Sequence, residues 1–574
     1  MTKRSLGGTI GLLLVGAIVA WNFIPDLPNQ VGRLMGGAGI SGPMDPVAAE
    51  AELDRKLNDV TWSVQAVTGV STMAAPVSDL AATLPPVETF PMAVQPELSS
   101  RATAEIFVST EKAGTGDDGW MREAAEAFNR ARVTLPSGEI AQVAIRAIAS
   151  GTGYQFIASG KYVPTGYSPS NVLWVEMAEA AGREVDVVAP QTAANVAGIV
   201  MKDEAAETLR EAGQLNVPGI IDAVVQGRLV VGYADPFASS TGLNFLVSVL
   251  SHFSGGEEGR LLSPEAVSAF ESFQARVPFV ALTTLQMRES VRRDGSLDAF
   301  VMEWQTFAKT EELARGYEFI PFGWPHDNPL AAIDAPEGPQ REALEAFAEF
   351  LATPEQQAIA TRYGFNPALT HQPPAALPDG DRLSRAQTTW KTSKDAGRPI
   401  AAVFVADVSG SMEGNRIAGV QQALREGASF ISPESAIGLV TFNHEVQVRL
   451  PVRPFAALQN AAFQTAVDQM FPGGGTAMYD AIAVGLRQIL DYRAENPDVR
   501  PMLFVLTDGE TQDGMIYSEL SRVIEGIGIP VHTIGFEANI DELSRLSGTV
   551  EAASIQANSQ NVRYQIGRMF NSQM

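Results

Sequence analysis

The chain has 574 residues, a length that calls for three or four folding units at about 150 residues each. Its 41 basic residues face 66 acidic ones with no run of Lys or Arg, which argues against nucleic-acid phosphates or an anionic lipid surface as docking partners. The absence of cysteine excludes disulfides, thiolate metal sites, cysteine nucleophiles and a lipidated N-terminal cysteine.

Lys3 and Arg4 precede Ser5 to Ile24, twenty residues without a charge, enough to cross a bilayer as one helix. Positive charge before the span predicts an uncleaved signal anchor, residues 1–25, with its N-terminus inside. The competing reading is a cleaved signal peptide, but such apolar regions are shorter and end in a small-x-small site. Here only Ile18-Val19-Ala20 approaches that pattern, and Trp21-Asn22-Phe23 follows as at a membrane interface. Residues 26–100 are rich in Pro, Gly, Ala and Met, with one short helical candidate, Pro46 to Val60, and read as a tether.

Residues 101–367 alternate short strands with helical patterns, as βαβ architecture demands. Ala104 to Val108 is a strand leaving through Ser109-Thr110-Glu111-Lys112, and Val143 to Ala149 is a second, ending in Ser150-Gly151-Thr152-Gly153. Leu229 to Tyr233 is a third, followed by Ala238-Ser239-Ser240-Thr241-Gly242 and an apolar helix, Leu243 to Leu250. Thr353-Pro354-Glu355-Gln356 starts a helix with a cap and a proline at its first position, and Gly364 lies past its end.

The segments Ala238 to Gly242, Phe350 to Gln357 and Tyr363-Gly364-Phe365-Asn366-Pro367 resemble bacterial extracellular solute-binding proteins of the two-lobed, type II periplasmic-binding fold. The resemblance implies a cleft between lobes, faced by strand-to-helix loops. Hydroxyls beside unpaired helix N–H groups there would take a small polar or anionic solute. The matching positions are Ser109, Thr110, Ser150, Thr152, Ser239 and Thr241. Helix capping is the competing role for each of them.

Residues 368–398, including Pro373-Pro374, read as a linker to a last unit, 399–574. That unit opens with Pro399 to Ala406, eight apolar and mostly β-branched or small residues, which suits a parallel strand covered on both faces. Asp407-Val408-Ser409-Gly410-Ser411 closes the run. Gly473-Gly474-Gly475-Thr476 is a glycine turn that puts Thr476 at a helix start, and the apolar strand Met502 to Leu506 ends in Thr507-Asp508-Gly509. Ligands of open α/β sheets sit at the carboxyl ends of strands, so these oxygens are expected together.

The order Asp-x-Ser-x-Ser, Thr, Asp resembles the metal-ion-dependent adhesion site (MIDAS) of von Willebrand factor A domains, Rossmann-like doubly wound α/β folds. The resemblance implies that Ser409, Ser411 and Thr476 ligate a divalent ion, with Asp407 and Asp508 touching it directly or through water. Hard oxygen donors suit Mg²⁺, or Mn²⁺ or Ca²⁺. In the family such an ion accepts an acidic group from a protein partner.

No histidine has metal-ligand spacing: His444 lies in an expected hairpin, and His532, in the strand Val531 to Ile534, suits core packing. A serine–histidine–aspartate arrangement and a phosphate loop are both missing from the sequence. Ile417, Val420, Leu424, Ala428 and Ile431 form a stripe at helical spacing and read as core.

Together these readings predict an α/β protein with a two-lobed domain, an A domain and a transmembrane helix. It would be a non-enzymatic, single-pass protein of the bacterial inner membrane with its domains in the periplasm or outside the cell. The alternative is an accessory component of an ABC-type transporter or of a chelatase- or channel-like complex.

Overall fold

The computed structural model describes residues 44–67, 83–291, 297–369, 371–374, 376–394, 398–509, 511–538, 540–550 and 552–574. The anchor expected over Ser5 to Ile24 lies outside them. Among the described residues no helix is long and apolar enough to cross a membrane.

Among the described residues three sheets organise the chain. A six-stranded sheet runs Met92–Val94, Gln142–Ala147, Thr103–Val108, Gly166–Ser168, Leu330–Ile333, Val185–Ala189, and a five-stranded sheet runs Tyr317–Phe322, Ala197–Lys202, Ala299–Glu303, Val231–Ala234, Val280–Ala281. Each sheet is the centre of one lobe. The chain passes between them twice, once between Ala189 and Ala197 and once between Phe322 and Leu330, so two connecting segments form the hinge of a two-lobed domain.

The third sheet has seven strands in the order Trp62–Val64, Val446–Pro454, Ala436–Phe442, Ile400–Asp407, Arg500–Thr507, Val531–Phe536, Ser554–Ala557. Ile400–Asp407 is buried at every position, because helices cover both faces of its neighbours. The side-chain period of two splits it between two cores. Ala402, Phe404 and Ala406 face Ile417, Val420 and Leu424 of the helix Asn415–Gly427, whereas Val403 and Val405 pack toward the helix Met478–Glu495.

His532 sits under the first of these cores, its ring 5.0 Å from and stacked on Phe504, with Nδ1 accepting the Ala553 amide at 3.0 Å. Complete burial, reinforced by Arg500 and Lys394, pulls its pKa from 6.5 to about 3. Between those values the unfolded chain binds a proton that the folded one does not. Stability therefore falls as pH drops from about 6.5 toward 3, at up to about 1.4 kcal/mol per unit, and this contribution is flat above that window. We expect His532→Asn, which keeps an acceptor toward Ala553, to flatten this slope in thermal melts recorded across that range; an unchanged slope would discard the assignment.

Two segments expected to be connections are structured. In the expected tether, Pro46–Leu57 is a helix whose Ala49, Leu53 and Leu57 enter the A-domain core beside Val523 and Ile524. Trp62–Val64 adds an edge strand parallel to Val446–Pro454, and Met92–Val94 pairs with Gln142–Ala147 in the first lobe. In the expected linker, Gly380–Ser393 is a helix that buries Leu383, Ala386 and Trp390; the Trp390 indole N–H donates to Tyr233 Oη at 2.6 Å. The helix Pro46–Leu57 matches the helical candidate Pro46 to Val60; the other elements are too short or too polar to show a period of their own, and the surface each buries against comes from distant sequence.

The last helix, Val562–Gln573, joins the units. Its Tyr564 hydroxyl bonds Thr152 Oγ1 of the first lobe at 2.9 Å, and Gln573 Nε2 donates to the Val280 carbonyl of the second at 2.8 Å.

Candidate metal centre and interlobe cleft

Parallel pairing of Ile400–Asp407 with Arg500–Thr507 brings both acidic turns to one sheet edge. Asp407 Oδ1 accepts the Ser409 amide at 2.7 Å, and its Oδ2 accepts the Thr507 hydroxyl at 2.6 Å. The two serine oxygens lie 3.0 Å apart, and Ser411 donates to Asp508 Oδ1 at 2.9 Å. Asp407, Ser409, Ser411 and Asp508 are thus directly linked. Burial pushes the Asp407 carboxyl above the usual carboxylate range, hydrogen bonds from Thr507 and Ser409 oppose this, and the charge of Asp508 adds to it.

Thr476 comes to the same edge through backbone. The Gly410 amide donates to the Gly474 carbonyl at 3.0 Å, the Gly473 amide to the Val408 carbonyl at 2.8 Å, and the Asn443 side chain to the Gly473 carbonyl at 2.7 Å. Gly474 has φ +86°, and a Cβ there would meet His444 Nδ1 at 2.4 Å, so this turn needs glycine. The Thr476 amide donates to Asp513 Oδ2 at 3.2 Å.

This donor set fits a hard divalent cation. It combines two serine hydroxyls with two buried carboxylates, Asp407 being held unfavourably close to the charge of Asp508, and Thr476 lies on the adjoining turn. Among the described residues there is no group of three His, Cys, Asp or Glu side chains placed to hold a metal, so any ion would depend on the hydroxyls. Arg416, absent from the motif, also enters the site: its guanidinium lies 2.6 Å from Asp508 Oδ2 and donates to the Ser411 carbonyl at 3.1 Å. A lone arginine after an acidic turn was the only signal for it.

In the two-lobed domain the six expected hydroxyls do not form one set. Ser109 accepts from Ser170 Oγ at 3.1 Å and Ser150 Oγ accepts the Ser170 amide at 3.3 Å, so these two share one loop. Thr241 donates to Glu303 at 3.3 Å across from them. Ser239 caps the helix Ser240–Phe253 through the Gly242 amide, Thr152 serves the contact with Tyr564, and the buried Thr110 hydroxyl has no partner among the described residues.

The charged groups of the cleft were not foreseen. Lys112 is fully buried, donating to Ser168 Oγ at 2.8 Å and the Pro169 carbonyl at 3.1 Å, and burial pulls its pKa down to about 7. Glu111 accepts the Thr284 hydroxyl of the opposite lobe at 3.3 Å; burial, then the charge of Glu303, pushes it up to about 7. His326 Nδ1 lies 2.9 Å from Glu303 Oε1, and its Nε2 faces the amide groups of Asn171 at 3.2 Å and Asn244 at 3.1 Å. The Asn244 amide is oriented by Trp324, whose N–H it accepts and whose carbonyl it donates to, so Nε2 is an acceptor and Nδ1 carries the proton toward Glu303. Glu303 ending an apolar strand was a readable signal; His326, in a hinge segment, gave none.

The sequence profile of the von Willebrand factor type A domain matches residues 402–565, and that of bacterial extracellular solute-binding proteins matches residues 113–366. The chain carries one domain of each family. The chain is similar to a protein of Synechocystis sp., 23% identical over 184 residues that cover 31% of this chain and 43% of that one. It is also similar to inter-alpha-trypsin inhibitor heavy chain H1 of Mesocricetus auratus, 27% identical over 148 residues, 24% of this chain and 16% of that one. The chain thus spans less than half the length of either relative. Among solved structures, the sulfate-binding protein SubI from Mycobacterium tuberculosis H37Rv covers 46% of this chain and 87% of its own at 18% identity and TM-score 0.34.

Proposed function

We propose that this chain is an extracytoplasmic binding protein in which the A domain recognises a protein partner through a bound divalent cation and the two-lobed domain takes a small polar solute. The linked oxygens of Asp407, Ser409, Ser411 and Asp508 at the sheet edge carry the first part. Ser409, Ser411 and Thr476 would hold Mg²⁺, Mn²⁺ or Ca²⁺, with Asp407 and Asp508 balancing its charge, and the ion would offer an acidic group of the partner a strong electrostatic contact. This chain's own residues orient the donors: Thr507 and the Ser409 amide fix Asp407, and Arg416 fixes Asp508.

Binding rather than catalysis suits a centre of hydroxyls and carboxylates built into strand ends. The charge-free segment Ser5 to Ile24 would anchor the protein in the inner membrane of a bacterium with both domains outside the cytoplasm. The partner reading is tested by pull-down from membrane extracts with Mg²⁺ and with EDTA. We expect capture with Mg²⁺ only; equal capture in both would remove the metal centre as the docking surface. Reporter enzymes fused after Met574 test the orientation, and activity confined to the cytoplasm would overturn the anchor.

A further inference from the structure

Resting on the solute reading above, we propose that the interlobe cleft selects a small organic cation, a primary ammonium group held between Glu111 of one lobe and Glu303 of the other.

The first observation is the balance of buried charge. Glu111 and Glu303 face one lysine, Lys112, whose ammonium is already held by Ser168 and the Pro169 carbonyl. His326 is neutral by its hydrogen-bond pattern and donates to Glu303 rather than countering it. The nearby Asp118 is matched by Arg288 at 3.2 Å across the lobes, so that pair adds no charge to the balance. With both glutamates ionised, the cleft is one positive charge short, and an unbalanced buried carboxylate is strongly disfavoured. Burial accordingly drives Glu111 toward its protonated form when nothing is bound.

The second observation is independent of charge. Glu111 Oε2 and Asn171 Oδ1 are buried acceptors without a partner among the described residues, and the two residues are 8% and 0% exposed. The amide of Asn171 is oriented with its nitrogen toward His326 Nε2 and the Ser240 carbonyl, which leaves the oxygen free. Unmade acceptors in a buried polar site are disfavoured, and a ligand rich in N–H donors would satisfy both. An anion without donors, such as sulfate, would satisfy neither. It would also meet two carboxylates.

The lobes are already in contact here, through Glu111 with Thr284, Gln305 Nε2 with the Asp117 carbonyl at 2.9 Å, and the Gly151 amide with the Ala238 carbonyl at 3.0 Å. A cation held between Glu111 and Glu303 would lie inside these contacts.

The test is calorimetric titration and thermal melting of the full-length protein, in EDTA and at constant ionic strength, with methylammonium and putrescine as cations, glycine as a zwitterion, and sulfate and phosphate as anions. We expect saturable 1:1 binding and a raised melting temperature with a cation, and at least a tenfold weaker affinity in Glu111→Gln and in Glu303→Gln. The two variants act on opposite lobes, so one that fails to melt cooperatively leaves the other as the probe. A response to sulfate or phosphate alone would overturn the cation while leaving the solute reading in place. Cation binding unaltered in both variants would place it outside the cleft, and silence across all five probes would overturn both readings.

Discussion

We expect Asp407→Asn to abolish Mg²⁺-dependent capture of the partner and to leave the fold intact. Both carboxylate oxygens of Asp407 are used inside the site, one by the Ser409 amide and one by the Thr507 hydroxyl, so the residue fixes the loop that carries both serines as well as supplying charge. Asparagine keeps the acceptor for Ser409 and lets the Thr507 hydroxyl turn to accept from its amide. The negative charge is lost from a place where burial had made it unfavourable without a cation. Altering a residue that orients metal donors weakens metal affinity by about 10- to 100-fold, and removing one of the two charges at the site itself should lie at or beyond the upper end. Calorimetric titration with Mn²⁺, beside circular dichroism and the pull-down, measures this. Native-like Mn²⁺ affinity in the variant would remove Asp407 from the centre.

Three residues earlier on the same strand, Phe404→Ala should unfold what Asp407→Asn spares. The Phe404 ring lies 5.0 Å from Phe570, 5.2 Å from Phe504 and 5.8 Å from Phe463, so it ties the central strand to its neighbour and to two helices. It is fully buried. Truncating such a ring removes its transfer free energy and leaves a cavity in a close-packed layer, at about 3–5 kcal/mol. Phe570 belongs to the helix Val562–Gln573, which also contacts both lobes, so loosening should reach the contact between the units. Denaturant titration followed by tryptophan fluorescence and circular dichroism gives the size, and a loss below about 1 kcal/mol would mean that the core collapses around the gap.

The pair shows what kind of information the chain displays openly. Ile400–Asp407 was legible because a strand covered on both faces must be apolar throughout, and because the polar residues that end it stand out against that run. The same logic revealed Thr507-Asp508 and the glycine turn at Gly474, where a positive φ and the closeness of His444 require the residue that the sequence supplies. His532 was read as core, and it lies buried against Phe504. The hydroxyls of the two-lobed domain were harder, since serine and threonine cap helices as readily as they bind ligands. Ser239 caps, Thr152 meets Tyr564, and only Ser109, Ser150 and Thr241 touch the polar network of the cleft.

By itself, the sequence determined the features governed by local periodicity and by short motifs: the α/β class, the two families, the central strand, and the donors that it and its parallel neighbour end in. Tertiary structure alone decided what depends on distant partners. The helix Pro46–Leu57 buries Leu53 against a domain that begins some 350 residues later, and Gly380–Ser393 completes a core with Tyr233 rather than serving as a spacer. Glu111 and Glu303 are 192 positions apart and show in sequence only as ordinary charges near strand ends. Burial where the two lobes meet gives them chemical meaning, because the energy of a charge depends on the medium around it, and that medium is built by folding.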